Sequence, residues 1–266
     1  MIVRLVGSEM CIRDSKNSKR LKNKNFKNFF GFPLFEWSLA AGLFLKQQLR
    51  GLREISVVCT SDDDRILDLV KKKYSSSILA VRRKPELSDD NAILSDVIFD
   101  CIYKLAERHV IPLDDYLSGS FILLQPTSPI RLKDDLVSFC RQIKNLGNNL
   151  SMVSVNKNHS EVKDIYEISK FTEVKSDLLL GHIGKKLLKV QDIKKHSESA
   201  FVDGSLYIGL ISMLREEGFM PAAKTLAFPL SIKCSIDIDT EEEFDEALVL
   251  IKELQNSGIE YVSPKI

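Results

Sequence analysis

Phe121-Ile122-Leu123-Leu124-Gln125-Pro126-Thr127-Ser128-Pro129 decides the fold of this 266-residue chain. Four consecutive apolar residues read as a buried strand, and the run stops at polar side chains and two prolines. In an open α/β sheet the loops at the carboxyl ends of the strands are where ligands bind. Gln125 offers an amide that donates and accepts, and Thr127 and Ser128 add hydroxyls. The prolines fix φ and so lower the entropic cost of holding the loop ready. An ordinary strand-to-helix turn would look the same over these residues, so the flanking segments must decide between the two.

Outward from this stretch, strand-like and helix-like segments alternate. Upstream, Pro33 suits a first helical turn, and Leu34, Trp37, Ala40, Ala41 and Phe44 recur at helical spacing. A β-rich run at 55–59 is followed by Asp62, Asp63 and Asp64 and a helix to about 73. A strand at 77–81 and a helix over 91–108 come next. Downstream, a helix over 133–145 leads to a strand at 152–155. Such repetition predicts βαβ units with right-handed crossovers and a mostly parallel sheet. The pattern breaks over 156–200, which is rich in Lys, His, Ser and Asp and reads as a small inserted lobe. The core resumes at 204–208 and closes with a strand at 235–239 and a final helix. Thr240 and Glu243 have capping-box spacing for that helix.

Lys plus Arg total 38 and Asp plus Glu 37, a net charge of +1, so no global field draws the chain to nucleic acid or a membrane. The 44% hydrophobic and 28% charged content suits an ordinary globular domain. Five scattered cysteines without a CxxC pair predict reduced, buried thiols and a cytoplasmic protein. The four histidines lack zinc-site spacing, and no run of 18 apolar residues occurs. Residues 1–15 read unlike the rest. From Val3 to Ser15 they resemble translated sequencing-adapter read-through, so they are set aside as a non-native leader and 16–266 is taken as the domain.

Residues 16–27 hold six cations, including Lys24. A run of this kind is more often a solvated surface, yet here it precedes the first helix, where a loop can wrap phosphates. Asn25 within it could match the paired donor and acceptor edge of a pyrimidine. Asp237 and Asp239 stand two apart, which in a strand puts both carboxylates on one face. That arrangement suits Mg²⁺ held together with substrate phosphates, or equally an acidic helix start. Asp62 to Asp64 fit helix-start charge better. Arg82 and Arg83 could face solvent or the cleft, and His159 and Lys163 are unremarkable by themselves.

Together these segments resemble the acylneuraminate cytidylyltransferases, or CMP-sialic acid synthetases. Residues 17–25 match the second half of the family's IPARxxSKxLxxKN opening, and 83–90 its RPxELxxD stretch. Residues 125–131 match QPTSPLR, and 235–240 match SIDIDT. The resemblance implies a Rossmann-like three-layer nucleotidyltransferase fold, an inserted dimerisation lobe and a homodimer. It also implies a reaction in which CTP and a nonulosonic (sialic-type) sugar acid give the CMP-sugar and pyrophosphate. By position, Ser18 and Lys24 would hold the triphosphate, and Asn25 and Arg83 the cytidine. Gln125, Thr127 and Ser128 would line the sugar side, Asp237 and Asp239 would bind Mg²⁺, and Lys163 would reach into the partner's site.

Departures shape these expectations. The family's phosphate-contacting arginine aligns with Ser15, inside the leader, which predicts a weakened grip on CTP. Leu94 replaces a small hydroxyl residue, and Val202 stands where relatives often carry a basic residue near the sugar. The acceptor therefore stays open among N-acetylneuraminic, legionaminic, pseudaminic and other nonulosonic acids. A nucleotidyltransferase for another sugar and a catalytically silent dimerising chain are the competing readings. The chain lacks the glycine-rich loop usual in sugar-1-phosphate enzymes, and the basic run has no aromatic platform to make it a nucleic-acid binder.

Overall fold

A computed structural model of the chain describes residues 8–11, 21–51, 55–88, 92–108, 113–146, 151–156, 165–168, 172–174, 178–186, 199–217, 225–231 and 236–264. In chain order, β1 (Ser8–Cys11) is followed by a 3-10 turn at Lys24–Phe26 and the hairpin β2 (Asn28–Phe29) and β3 (Phe32–Pro33). Phe30 and Gly31 both have positive φ, as a two-residue hairpin turn matched to strand twist requires. Then come α1 (Leu34–Gln48), β4 (Ile55–Ser61), α2 (Asp64–Tyr74), β5 (Ile78–Arg82), α3 (Leu94–Glu107) and α4 (Leu113–Leu117). The apolar run at 121–124 falls on β6 (Ser120–Leu123) and the residue after it, followed by α5 (Lys133–Leu146) and β7 (Ser151–Asn156). Strands β8 (Ile165–Ile168), β9 (Thr172–Val174), β10 (Leu178–Lys186) and β11 (Ser199–Leu210) lead to α6 (Ile211–Glu217), β12 (Thr225–Pro229) and α7 (Glu241–Asn256).

The sheet order is β5-β4-β1-β6-β11-β7-β12-β10-β8, with β9 paired to β10. The sheet is mixed, not mostly parallel. β1 pairs in parallel with β4 and β6, β4 with β5, and β7 with β12. β11 runs antiparallel to β6, β7 and β8, and β10 antiparallel to β8, β9 and β12. The antiparallel half is centred on β11, which lies between β6 and β7 and runs opposite to both. Strands β8 and β10, within the stretch read as a small inserted lobe, are hydrogen-bonded members of this sheet. Because β8 pairs with both β10 and β11, a closed circuit β11-β7-β12-β10-β8 forms at that end. Ser8–Cys11, within the segment set aside, occupies a central place between β4 and β6.

Helices cover both faces, which explains the unbroken apolar run of β6. Ile122 and Leu124 pack with Phe35 and Leu39 of α1, Ile66 and Val70 of α2, and Phe139 of α5. Phe121 and Leu123 face the other way, toward Val97, Ile98 and Cys101 of α3 and Ile211 and Leu214 of α6. Strand alternation thus feeds two cores from one sequence. A third cluster joins Leu21, Phe29, Leu34 and Trp37 to Ile238 and to Phe244, Ala247 and Ile251 of α7. Trp37 keeps its indole N–H satisfied on Phe29 O at 3.1 Å. Cys59, Cys101 and Cys140 are buried, and burial pushes the Cys140 thiol up to about 12. Among the described residues no helix is long and apolar enough to cross a membrane.

Candidate active site

The basic segment folds into the 3-10 turn Lys24–Phe26, entered through Asn23 in the left-handed region at φ 52. Asparagine tolerates that conformation better than most side chains. Arg65, at the start of α2, donates to Asn23 Oδ1 at 3.3 Å and lies over the Phe26 ring at 4.5 Å. Phe26 in turn meets Phe35 edge-on at 5.6 Å. The turn is therefore anchored to two helices, and Asn25 within it is buried. Asn25 Oδ1 is a buried acceptor with no partner among the described residues.

Arg83 follows β5 and is 1% exposed, whereas Arg82 points out to Asp64. Arg83 donates through Nε to Ser88 Oγ at 3.0 Å and through Nη2 to Asp62 at 3.4 Å, while Nη1 is buried with no partner among the described residues. A buried unsatisfied donor or acceptor is costly, so two such atoms here suit a polar ligand that completes them. The helix-start reading of the aspartates holds for Asp63, whose carboxylate accepts from Arg65 N at 2.9 Å.

Residues 236–239 form a loop segment, not the expected strand. Ile238 N instead donates to Thr127 O at 2.7 Å, and the Ile238 side chain is fully buried. Asp237 and Asp239 adjoin Ile238 in a segment that is not a strand, so the strand alternation behind the shared-face expectation does not apply to them. The capping box is present: Glu243 N donates to Thr240 Oγ1, and Glu243 Oε2 accepts from Thr240 N and, at 2.7 Å, from Asp239 N. Lys24 Nζ donates to Asp239 Oδ1 at 3.0 Å, across 215 residues of sequence. Lys27 pairs with Glu241 and sits 4.2 Å from the centre of the Phe244 ring. The basic turn and the acidic segment thus meet in space.

The Gln125–Ser128 loop joins this centre through Thr127. Gln125 O accepts from Ser38 Oγ at 2.9 Å and from Arg131 Nη2 at 2.9 Å. Arg131 is buried and also donates to Ser205 O at 3.1 Å and Ser38 Oγ at 3.2 Å. Burial lowers its guanidinium to about 9, against the opposing charge of Asp203. Ser128 is buried, and its hydroxyl donates to Asp203 O at 3.1 Å, tying the loop to β11.

Lys24, Asn25, Gln125, Thr127, Ser128, Asp237 and Asp239 are thus linked through one framework, and Arg83 is tied to the start of α2, which holds the turn. Ser18 and Lys163 lie outside the described residues. Ser38, Asp203 and Gly204 were not singled out from the sequence for the site, although a glycine inside a strand-like run is itself a signal of a bulge. For a metal, two carboxylates are hard oxygen donors of the kind Mg²⁺ takes together with phosphates, so Asp237 and Asp239 fit such an ion. A groove of about 520 Å³ on the outer side of α3, lined by Lys84, Phe99 and Tyr103 among others, includes none of these residues.

Three comparisons with known proteins bear on this geometry. The sequence pattern of a family described as Cytidylyltransferase matches residues 16–256. The chain is 26% identical over 253 residues to the pseudaminic acid cytidylyltransferase of Campylobacter jejuni subsp. jejuni serotype O:2, covering 91% of this chain and 96% of that protein. In fold it is similar to a CMP:2-keto-3-deoxy-manno-octonic acid synthetase complexed with CTP, with a TM-score of 0.58 at 13% identity, covering 93% and 98% of the two chains. A 4-diphosphocytidyl-2C-methyl-D-erythritol synthase gives a TM-score of 0.54 at 8% identity, covering 92% and 99%.

Proposed function

The chain belongs to the cytidylyltransferase family, a family of nucleotidyltransferases, and on that premise we propose that it activates a nonulosonic sugar acid by transferring CMP to it from CTP. The contact between Lys24 and Asp239 carries this reading, because it joins the cationic turn to the acidic segment. The orphaned Asn25 Oδ1 and Arg83 Nη1 support a cytosine there: the base's exocyclic amine would donate to the first, and its ring carbonyl would accept from the second. The similarity to a pseudaminic acid cytidylyltransferase supports the nine-carbon acid class for the acceptor.

In this scheme the anomeric hydroxyl of the sugar acid attacks the α-phosphorus in line. A new oxygen–phosphorus bond forms, the bond to the β-phosphate bridge breaks, and pyrophosphate leaves. The protein's part is positioning and charge neutralisation. Lys24 holds triphosphate oxygens, Asn25 and Arg83 orient the base, and Gln125 faces the acceptor. Mg²⁺, held by Asp237 and Asp239, would neutralise phosphate charge and make the attacking hydroxyl more acidic. The hydroxyl proton passes to a neighbouring carboxylate or to solvent.

Incubation with a mixed pool of nonulosonic acids and CTP or UTP, read by pyrophosphate release and mass spectrometry, tests the proposal. A CMP-sugar formed from CTP and not from UTP is expected. Pyrophosphate release that ignores the sugar acid would sink it.

A further inference from the structure

We propose that Gly204 is the positioning residue of the acceptor side: its missing side chain is what allows the Gln125 amide to lie against β11 and face the cleft. This rests on the functional reading above and assigns to Gly204 a part in acceptor recognition.

The observation begins in the sheet. Between Val202 and Tyr207, β11 advances five residues while its partner β7 advances two, from Val155 to Val153. The surplus residues form a bulge where β11 passes from pairing with β8 to pairing with β6. Bulges re-aim side chains and interrupt pairing at sites of this kind. Gly204 sits in the bulge at φ +76, in the left-handed region. A Cβ built there would lie 2.6 Å from Gln125 Oε1 and 3.3 Å from Gln125 Cδ, so the amide presses directly on the glycine.

Both sides of that contact are fixed. The Asp203 carboxylate accepts from Ser205 N at 3.0 Å and from Ser154 Oγ, and Leu206 N donates to Ser154 Oγ at 2.9 Å. Arg131 bridges Gln125 O and Ser205 O, and Ser128 Oγ bonds Asp203 O. Bulge and loop therefore cannot slide apart to admit a methyl group. The group able to move is the far end of the Gln125 side chain, whose amide has no hydrogen-bond partner among the described residues. A side chain at 204 would turn that amide while sparing the fold. The moiety read by the amide is a hydroxyl or acylamino group of the sugar acid, since an amide pairs with both donors and acceptors.

The test is a double-mutant cycle of Gly204→Ala and Gln125→Ala with two readouts. In the ¹H–¹⁵N spectrum the Gln125 side-chain amide, assigned by its loss in Gln125→Ala, is expected to shift in Gly204→Ala while the thermal midpoint falls by a few degrees. In kinetics, Gly204→Ala is expected to raise KM for the sugar acid about tenfold with KM for CTP unchanged, and to add nothing in the Gln125→Ala background. An unmoved amide, or additive effects on the sugar acid, overturns the inference and leaves the functional reading standing. If the unmodified chain makes no CMP-sugar, the functional reading fails, and the amide shift alone decides whether Gly204 sets Gln125.

Discussion

Arg83 illustrates how one buried cation can serve both the framework and a ligand. Two of its nitrogens are engaged by Ser88 and Asp62, and the third is buried with no partner among the described residues. A hydrogen bond to a charged group contributes about 1.5–3 kcal/mol, so Arg83→Met is expected to weaken CTP binding about 10- to 100-fold by calorimetry. Asn25→Ala should weaken CTP more than UTP, since the two bases differ at the position an amide oxygen would read. Asp237→Ala is expected to lower pyrophosphate release at least about 100-fold across a Mg²⁺ titration; near-normal turnover would exclude the metal role. Most of these residues were legible in the sequence because motif and chemistry agreed. Ser128 was legible as a polar residue, but its burial was not, since that depends on β11 arriving beside the loop. Gly204 was passed over for the same reason: its partner lies 79 positions away, and no local pattern reports that distance.

At the scale of elements, α1 and α2 are joined by a buried carboxylate. Glu36, 2% exposed, accepts from Lys73 Nζ at 2.6 Å and from Tyr74 Oη. Burial first, and then the Glu36 hydrogen bond and charge, raise the Tyr74 hydroxyl well above its ordinary value of 10. A raised folded value means that the native state keeps the proton longer than the unfolded chain does. This contribution is therefore complete below pH 10 and is lost as pH climbs above it. Urea midpoints at pH 8, 10 and 11 should show the unmodified chain losing its advantage over Tyr74→Phe as pH rises. A constant difference would rule out the strut as a titrating group. Periodicity located these helices and the strands beside them, because both faces of the sheet demand apolar residues. It failed for 236–239, where β-like composition serves a loop docked on Thr127, and it gave no sign that strands at 165–168 and 178–186 join the sheet.

For the whole molecule, the decisive fact is the central place of β1 between β4 and β6. Ladder hydrogen bonds use the backbone, so such a slot accepts many sequences, and residue identity gave little warning of it. Deleting residues 1–15 is expected to abolish the cooperative unfolding transition, whereas a chain with valine at each of positions 8–11 should retain it. Circular dichroism during heating distinguishes the two. On the other flank, Lys104 Nζ and Arg108 Nη1 donate to the carbonyls of Arg82 and Ala80, capping the outer side of β5. The span from Lys24 to Asp239 has a further consequence during synthesis. A nascent chain can order the early strands and helices as they emerge, but the Lys24–Asp239 contact must wait for almost the entire polypeptide to leave the ribosome. Until then Lys24 lacks the counter-charge of Asp239, and the proposed nucleotide site stays incomplete.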